Sequence, residues 1–146
     1  LWPWEDSSER GDRVNGIFHH IGLFSQYPEE LVEFYTGKLG FERIDSKTIS
    51  KEWMTRIFGL PEMTQMIKLR AGPLVIEVFS SPKIRTEGHG TRFAGYNHWG
   101  LGVVNKEAFV QELERKGVPV LKLEGKGRFV YFIKDPEDNL IEIYQR

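Results

Sequence analysis

The sequence predicts an α+β fold made of two tandem βαβββ modules, and three internal matches carry that prediction. A strand-like segment bearing His-x-Gly occurs twice, as His20-Ile21-Gly22 within 16–24 and as His98-Trp99-Gly100 within 96–104. An amphipathic helix pattern follows each at nearly the same distance, His20 to Gly40 spanning 20 residues and His98 to Gly117 spanning 19. Each half then closes on a hairpin whose last strand carries one carboxylate inside an apolar run, Glu77 within 74–79 and Glu142 within 140–144. Self-similarity on this scale marks a duplicated supersecondary unit.

In the first half, Pro28 with Glu29 and Glu30 suits a helix start, because proline fits the first turn and carboxylates favour the positive helix end. Leu31, Tyr35 and Leu39 then share one face. In the second half, Asn105 is a good N-cap, Phe109 and Leu113 lie four apart, and Lys116-Gly117 supplies a basic last turn and a C′ glycine. The hairpins are read as 66–69 and 74–79 about Ala71-Gly72-Pro73, and as 129–133 and 140–144 about a turn at 135–139. The halves differ between helix and hairpin. Residues 50–59 read as an added short helix, placed to shape a pocket on the first half, whereas 118–127 passes quickly. The domain reading is an arm at 1–15 and one domain at 16–146, with module one at 16–80, a Pro-, Gly- and charge-rich linker at 81–95, and module two at 96–146. Trp2 and Trp4 give the arm something to pack with.

Composition narrows the function. With 20 basic and 21 acidic residues, the net charge of -1 provides no electrostatic footprint for nucleic acid or an anionic membrane, so the expected partner is a small molecule. No stretch approaches the ~20 apolar residues of a membrane span, and residues 1–12 are too short and acidic for a signal peptide, which gives a cytoplasmic reading. The chain has no cysteine, so any metal must sit on nitrogen and oxygen.

Those donors are present in matched places. Side chains alternate across a strand, so His20, Gly22 and Phe24 share one face, as do His98, Gly100 and Gly102, and the glycines leave room beside the histidines. An ionised Glu77 or Glu142 inside an apolar strand costs several kcal/mol unless it is compensated. One divalent cation held by His20, Glu77, His98 and Glu142 accounts for both carboxylates at once. His19 alternates to the other face and matches Asn97 in the second half, so it is read as structural, and His89 as a loop residue. Trp53, Met54, Phe58 and Met66 are read as ordinary core in preference to pocket lining.

The segments HHIGLFSQYPEELVEFYTGKLGFERI, LVIEVF, NHWGLGVVNKEAFVQELERKGVPV and FVYFIKDPEDNLIEIYQ resemble the vicinal oxygen chelate superfamily, which includes glyoxalase I, methylmalonyl-CoA epimerase, extradiol dioxygenases and bleomycin resistance proteins. The resemblance covers 16–145, and its most specific part is the Asp-Pro-x-x-Asn turn. It implies a glyoxalase-like curved sheet around a metal-binding cavity, with His20, Glu77, His98 and Glu142 as ligands of one Zn, Ni, Co, Mn or Fe ion. It also implies a homodimer whose modules pair within one chain or across two.

A fourth ligand at Glu77 resembles the isomerases and epimerases of the superfamily. They act next to a carbonyl and stabilise an enediolate during proton transfer, with Glu142 or Glu77 as the base. The segment 53–61 is similar to one in epimerase-like relatives. Dioxygenase-type relatives imply a triad of His20, His98 and Glu142 binding Fe(II), and bleomycin-resistance relatives imply binding without metal. Arg43, Asn105 and Arg128 are available for glutathione, but their spacing marks no glutathione or coenzyme A motif.

Overall fold

The computed structural model describes residues 16, 18–84 and 94–146, so the arm, His89 and most of the linker lie outside the described residues. Module one consists of β1 (His20–Ser25), α1 (Pro28–Glu33) with a π-helical continuation (Phe34–Lys38), β2 (Glu42–Ile49), α2 (Lys51–Phe58), β3 (Thr64–Ala71) and β4 (Leu74–Ser80). Module two consists of β5 (His98–Val103), α3 (Lys106–Arg115), β6 (Leu121–Gly125), β7 (Arg128–Lys134) and β8 (Leu140–Gln145). The two sheets have the same order, β1-β4-β3-β2 and β5-β8-β7-β6, with only the β1–β4 and β5–β8 pairs parallel. The two tandem βαβββ modules of the sequence reading are therefore the architecture. β2 and β6 are strands that local pattern does not reveal. Both are almost wholly exposed outer strands, so neither carries the inside-outside alternation by which a strand is read.

One face of each sheet is covered by helix. Ile76 and Val78 of β4 and Ile141 and Ile143 of β8 join Leu31, Tyr35, Val110 and Leu113 in one buried cluster that spans both modules. Asn105 Oδ1 caps α3 by accepting from Ala108 N at 2.9 Å. Gly40 and Gly117 follow their helices at φ +77° and +78°, the left-handed conformation that glycine adopts without steric cost. The helix ends also meet across the modules, with Lys38 Nζ donating to Lys116 O at 2.7 Å and Lys116 Nζ donating to Lys38 O at 3.4 Å. This reciprocal contact is what a twofold relation between duplicated units produces.

The turn after β7 is the second tie between modules. Buried Asp135 accepts from the backbone N–H of Glu137 and Asn139 through Oδ1, and from Asn139 Nδ2 and Tyr35 Oη through Oδ2, the last at 2.9 Å. Glu137 then accepts from Gln26 N at 3.1 Å, Tyr27 N at 2.9 Å and the Ser25 hydroxyl, supplying the junction before α1 with partners that no local cap provides. The Asp-Pro-x-x-Asn motif thus builds the fold by joining module two to the start of α1.

α2 is the inserted helix expected at 50–59, capped by Ser50 and ended by Gly59 at φ +67°. Its last residue, Phe58, packs edge-on against Phe24 at 5.1 Å and Phe79 at 5.6 Å, so α2 ends on the sheet face away from the shared core. Met54 and Met66 are core, as expected, but Trp53 is exposed and Phe58 lines a cavity, so the four residues do not act as one group. No described helix is long and apolar enough to cross a membrane.

Candidate functional site

His20, Gly22 and Phe24 face away from the shared core, on the side that Glu77 also occupies. The parallel register sets Gly22 opposite Glu77 and Gly100 opposite Glu142, so each carboxylate lies over a glycine and leans toward the histidine two residues back. The result is the same on both sheets: His20 Nε2 to Glu77 Oε2 is 3.5 Å, and His98 Nε2 to Glu142 Oε2 is 3.5 Å. A Cβ on Gly100 would meet nothing within 4 Å, so what glycine keeps clear is the space above the pair and not a tight backbone contact.

The other ring nitrogens are matched too. His98 Nδ1 donates to Asn97 Oδ1, and His20 Nδ1 shares a hydrogen bond of 2.8 Å with His19 Nδ1. His19 therefore contacts His20 directly, edge-on at 5.1 Å, where strict alternation would have turned it away. At His98, where Nδ1–H donates to an amide oxygen, a neutral imidazole presents a lone pair at Nε2, and that lone pair faces a carboxylate oxygen. Two acceptors face each other unless a proton or a cation lies between them.

A divalent ion fits this donor set. Two ligands about 2.1 Å from a tetrahedral ion stand about 3.4 Å apart, close to both His–Glu separations. Orientation of a ligating histidine through its second nitrogen is the usual outer-shell arrangement. His20 with Glu77, and His98 with Glu142, are the residues that would hold the ion. Among the described residues the four do not gather into one cluster, and no group of three or more ligand-type side chains forms. What the structure brings together is two equivalent pairs.

A cavity of about 1130 Å³ is lined from both modules, with His20, Phe24, Phe58 and Leu60 on one side and Asn97, His98, Trp99 and Glu137 on the other. Its aromatic and aliphatic walls with a few polar groups suit a small organic molecule.

Sequence reading did not single out Lys68. Its Nζ lies 3.1 Å from Glu77 Oε1, and it stands directly opposite Glu77 in the β3–β4 register. Phe132 is opposite Glu142 in the same place of module two and packs edge-on against the His98 ring at 5.5 Å. Only the register exposes this difference, because 68 and 132 mean nothing until the hairpins are aligned.

The profile of the Glyoxalase/Bleomycin resistance protein/Dioxygenase superfamily matches residues 17–143, and the chain belongs to this family. It is 32% identical over 133 residues to the uncharacterized protein YwkD of Bacillus subtilis (strain 168), covering 88% of this chain and 95% of that protein. The fold is similar to the trypanothione-dependent glyoxalase I of Leishmania major, with a TM-score of 0.65 and 19% identity over 87% of this chain and 84% of the other. It is also similar to TnmS3, an antibiotic binding protein from Streptomyces sp. CB03234, with a TM-score of 0.60 and 14% identity over 91% and 98% of the two chains.

Proposed function

We propose that the protein is a divalent-metal-dependent enzyme of the glyoxalase and epimerase type, acting by proton transfer at the carbon next to a carbonyl. The observation that carries this reading is the identical 3.5 Å Nε2–Oε2 approach in the two modules, a separation that two ligands of one ion would have. The bound ion would withdraw charge from the substrate carbonyl oxygen and so make the neighbouring C–H acidic. Glu142 would take that proton, because among the described residues it pairs with no lysine and its side chain is the more exposed of the two, 27% against 14%. Phe24 and Phe58, on the same face as His20, would orient the substrate and exclude water. The substrate class is a small molecule with a carbonyl or vicinal oxygens.

Four donors on one ion require the two pairs to meet, and the reading takes them from two chains, module one of one copy facing module two of another. Metal content of protein purified without chelator tests the donors. Near-stoichiometric metal in wild type, lost in both Glu77→Ala and His98→Ala, is the expected result, and absence of metal in wild type after adding divalent ions would overturn it. Mixing His20→Ala with His98→Ala tests the pairing. A mixed dimer regains one intact site, so metal uptake reappears if donors come from two chains and stays absent if they come from one.

The Lys68–Glu77 ion pair favours a second reading, an Fe(II) dioxygenase with the triad His20, His98 and Glu142, since Lys68 compensates Glu77 without a metal. In that case Glu77→Ala retains iron.

A further inference from the structure

Glu77 has two oxygens in different surroundings. Oε2 faces His20 Nε2 at 3.5 Å, while Oε1 is held by Lys68 Nζ at 3.1 Å. Lys68 stands between two carboxylates in the sheet, opposite Asp45 on β2 and Glu77 on β4. Among the described residues it forms an ion pair with Glu77 and none with Asp45, although both neighbours are in register with it. The Glu77 side chain is only 14% exposed and that of Lys68 26%, so water screens this contact less than an ion pair at the open surface.

We propose that Lys68 is a positioning residue for the metal centre: its ammonium occupies Glu77 Oε1, so that Glu77 presents Oε2 alone as a one-oxygen ligand beside His20. The proposal rests on the four-donor reading above. It makes the two carboxylates unequal by construction, with Glu77 pinned and Glu142 free to leave the ion for a proton.

The bland alternative is that Lys68 only neutralises Glu77. The two roles predict opposite signs. A cation near a dication repels it, so removing a mere neutraliser tightens metal binding, whereas removing an orienting group loosens the ligand and weakens binding. The test loads Co(II) into wild type, Lys68→Met, Lys68→Gln and Lys68→Arg, each checked for fold by circular dichroism. Affinity is read by chelator competition and coordination by the visible absorption of the ion.

The expected result is an affinity about tenfold lower in Lys68→Met and Lys68→Gln, with weaker visible absorption as Glu77 binds through both oxygens, and recovery in Lys68→Arg. Unchanged or tighter binding in the neutral variants, with wild type loaded, would overturn the positioning role and leave the metal reading intact. Failure of wild type to take up Co(II) would overturn both.

Discussion

The two modules keep one thing in common and differ in what surrounds it. Each has a histidine and a carboxylate 3.5 Å apart on the open sheet face, with the histidine's other nitrogen bonded to the residue before it. Around that pair the environments diverge. Module one places Lys68 against its carboxylate and adds α2 with Phe58, while module two places Phe132 there and has no inserted helix. After duplication, the geometry of the pair has been kept while the charge and shape beside it have changed. This is the pattern expected if both pairs serve one ion and the two walls serve different parts of a substrate.

The equivalence of the two modules extends into the core. Ile76 and Ile141 occupy equivalent places next to Glu77 and Glu142, and both are fully buried in the cluster shared by the modules. Truncating either to alanine is expected to cost about 2–5 kcal/mol. Because the cluster is shared, each variant should still unfold in a single transition in denaturant. Two separated transitions would mean that the modules are independent.

A smaller effect is expected where module one meets module two, at Tyr35 and Asp135. Burial raises the Tyr35 phenol well above its usual value, and the Asp135 carboxylate raises it further. Burial also raises Asp135, against the opposing hydrogen bonds from Asn139, Tyr35 and Glu137 N. Both groups hold their proton more tightly when folded. The stability each contributes is therefore complete below its unfolded value and is lost as pH rises through its folded value. For Tyr35 the loss begins above about pH 10, where the unfolded chain ionises and the folded phenol does not. Tyr35→Phe should cost about 1–3 kcal/mol at neutral pH by leaving Asp135 one donor short. It should also remove up to about 1.4 kcal/mol per pH unit of alkaline slope. Urea melts of the two proteins across that range would show parallel slopes if the tie is not as described.

The smallest effects concern the helix caps. Asn105 accepts from Ala108 N at 2.9 Å and starts a helix whose Val110 and Leu113 are core, whereas Ser50 accepts from Trp53 N at 3.3 Å and starts the mostly exposed α2. Asn105→Ala is expected to cost about 1 kcal/mol and Ser50→Ala about 0.5 kcal/mol. The reverse order in thermal melts would place the inserted helix closer to the folding core than its burial indicates.

The sequence alone determined the duplication, the helices with the Asn105 cap, the central strands and the positions of His20, Glu77, His98 and Glu142, because each of these is written in local periodicity, in cap chemistry or in a match between halves. It did not reveal β2 and β6, because exposed outer strands owe their pairing to a neighbour and not to an alternating pattern of their own. Nor did it reveal Lys68 against Glu77, the His19 contact to His20, or the use of Asp135 and Glu137 to bind one module to the other. Those contacts join residues whose proximity depends on strand register and module packing. Tertiary structure likewise decided that, among the described residues, His20 pairs with Glu77 and His98 with Glu142 and the four form no single cluster, because each pair is made by the parallel register of its own sheet.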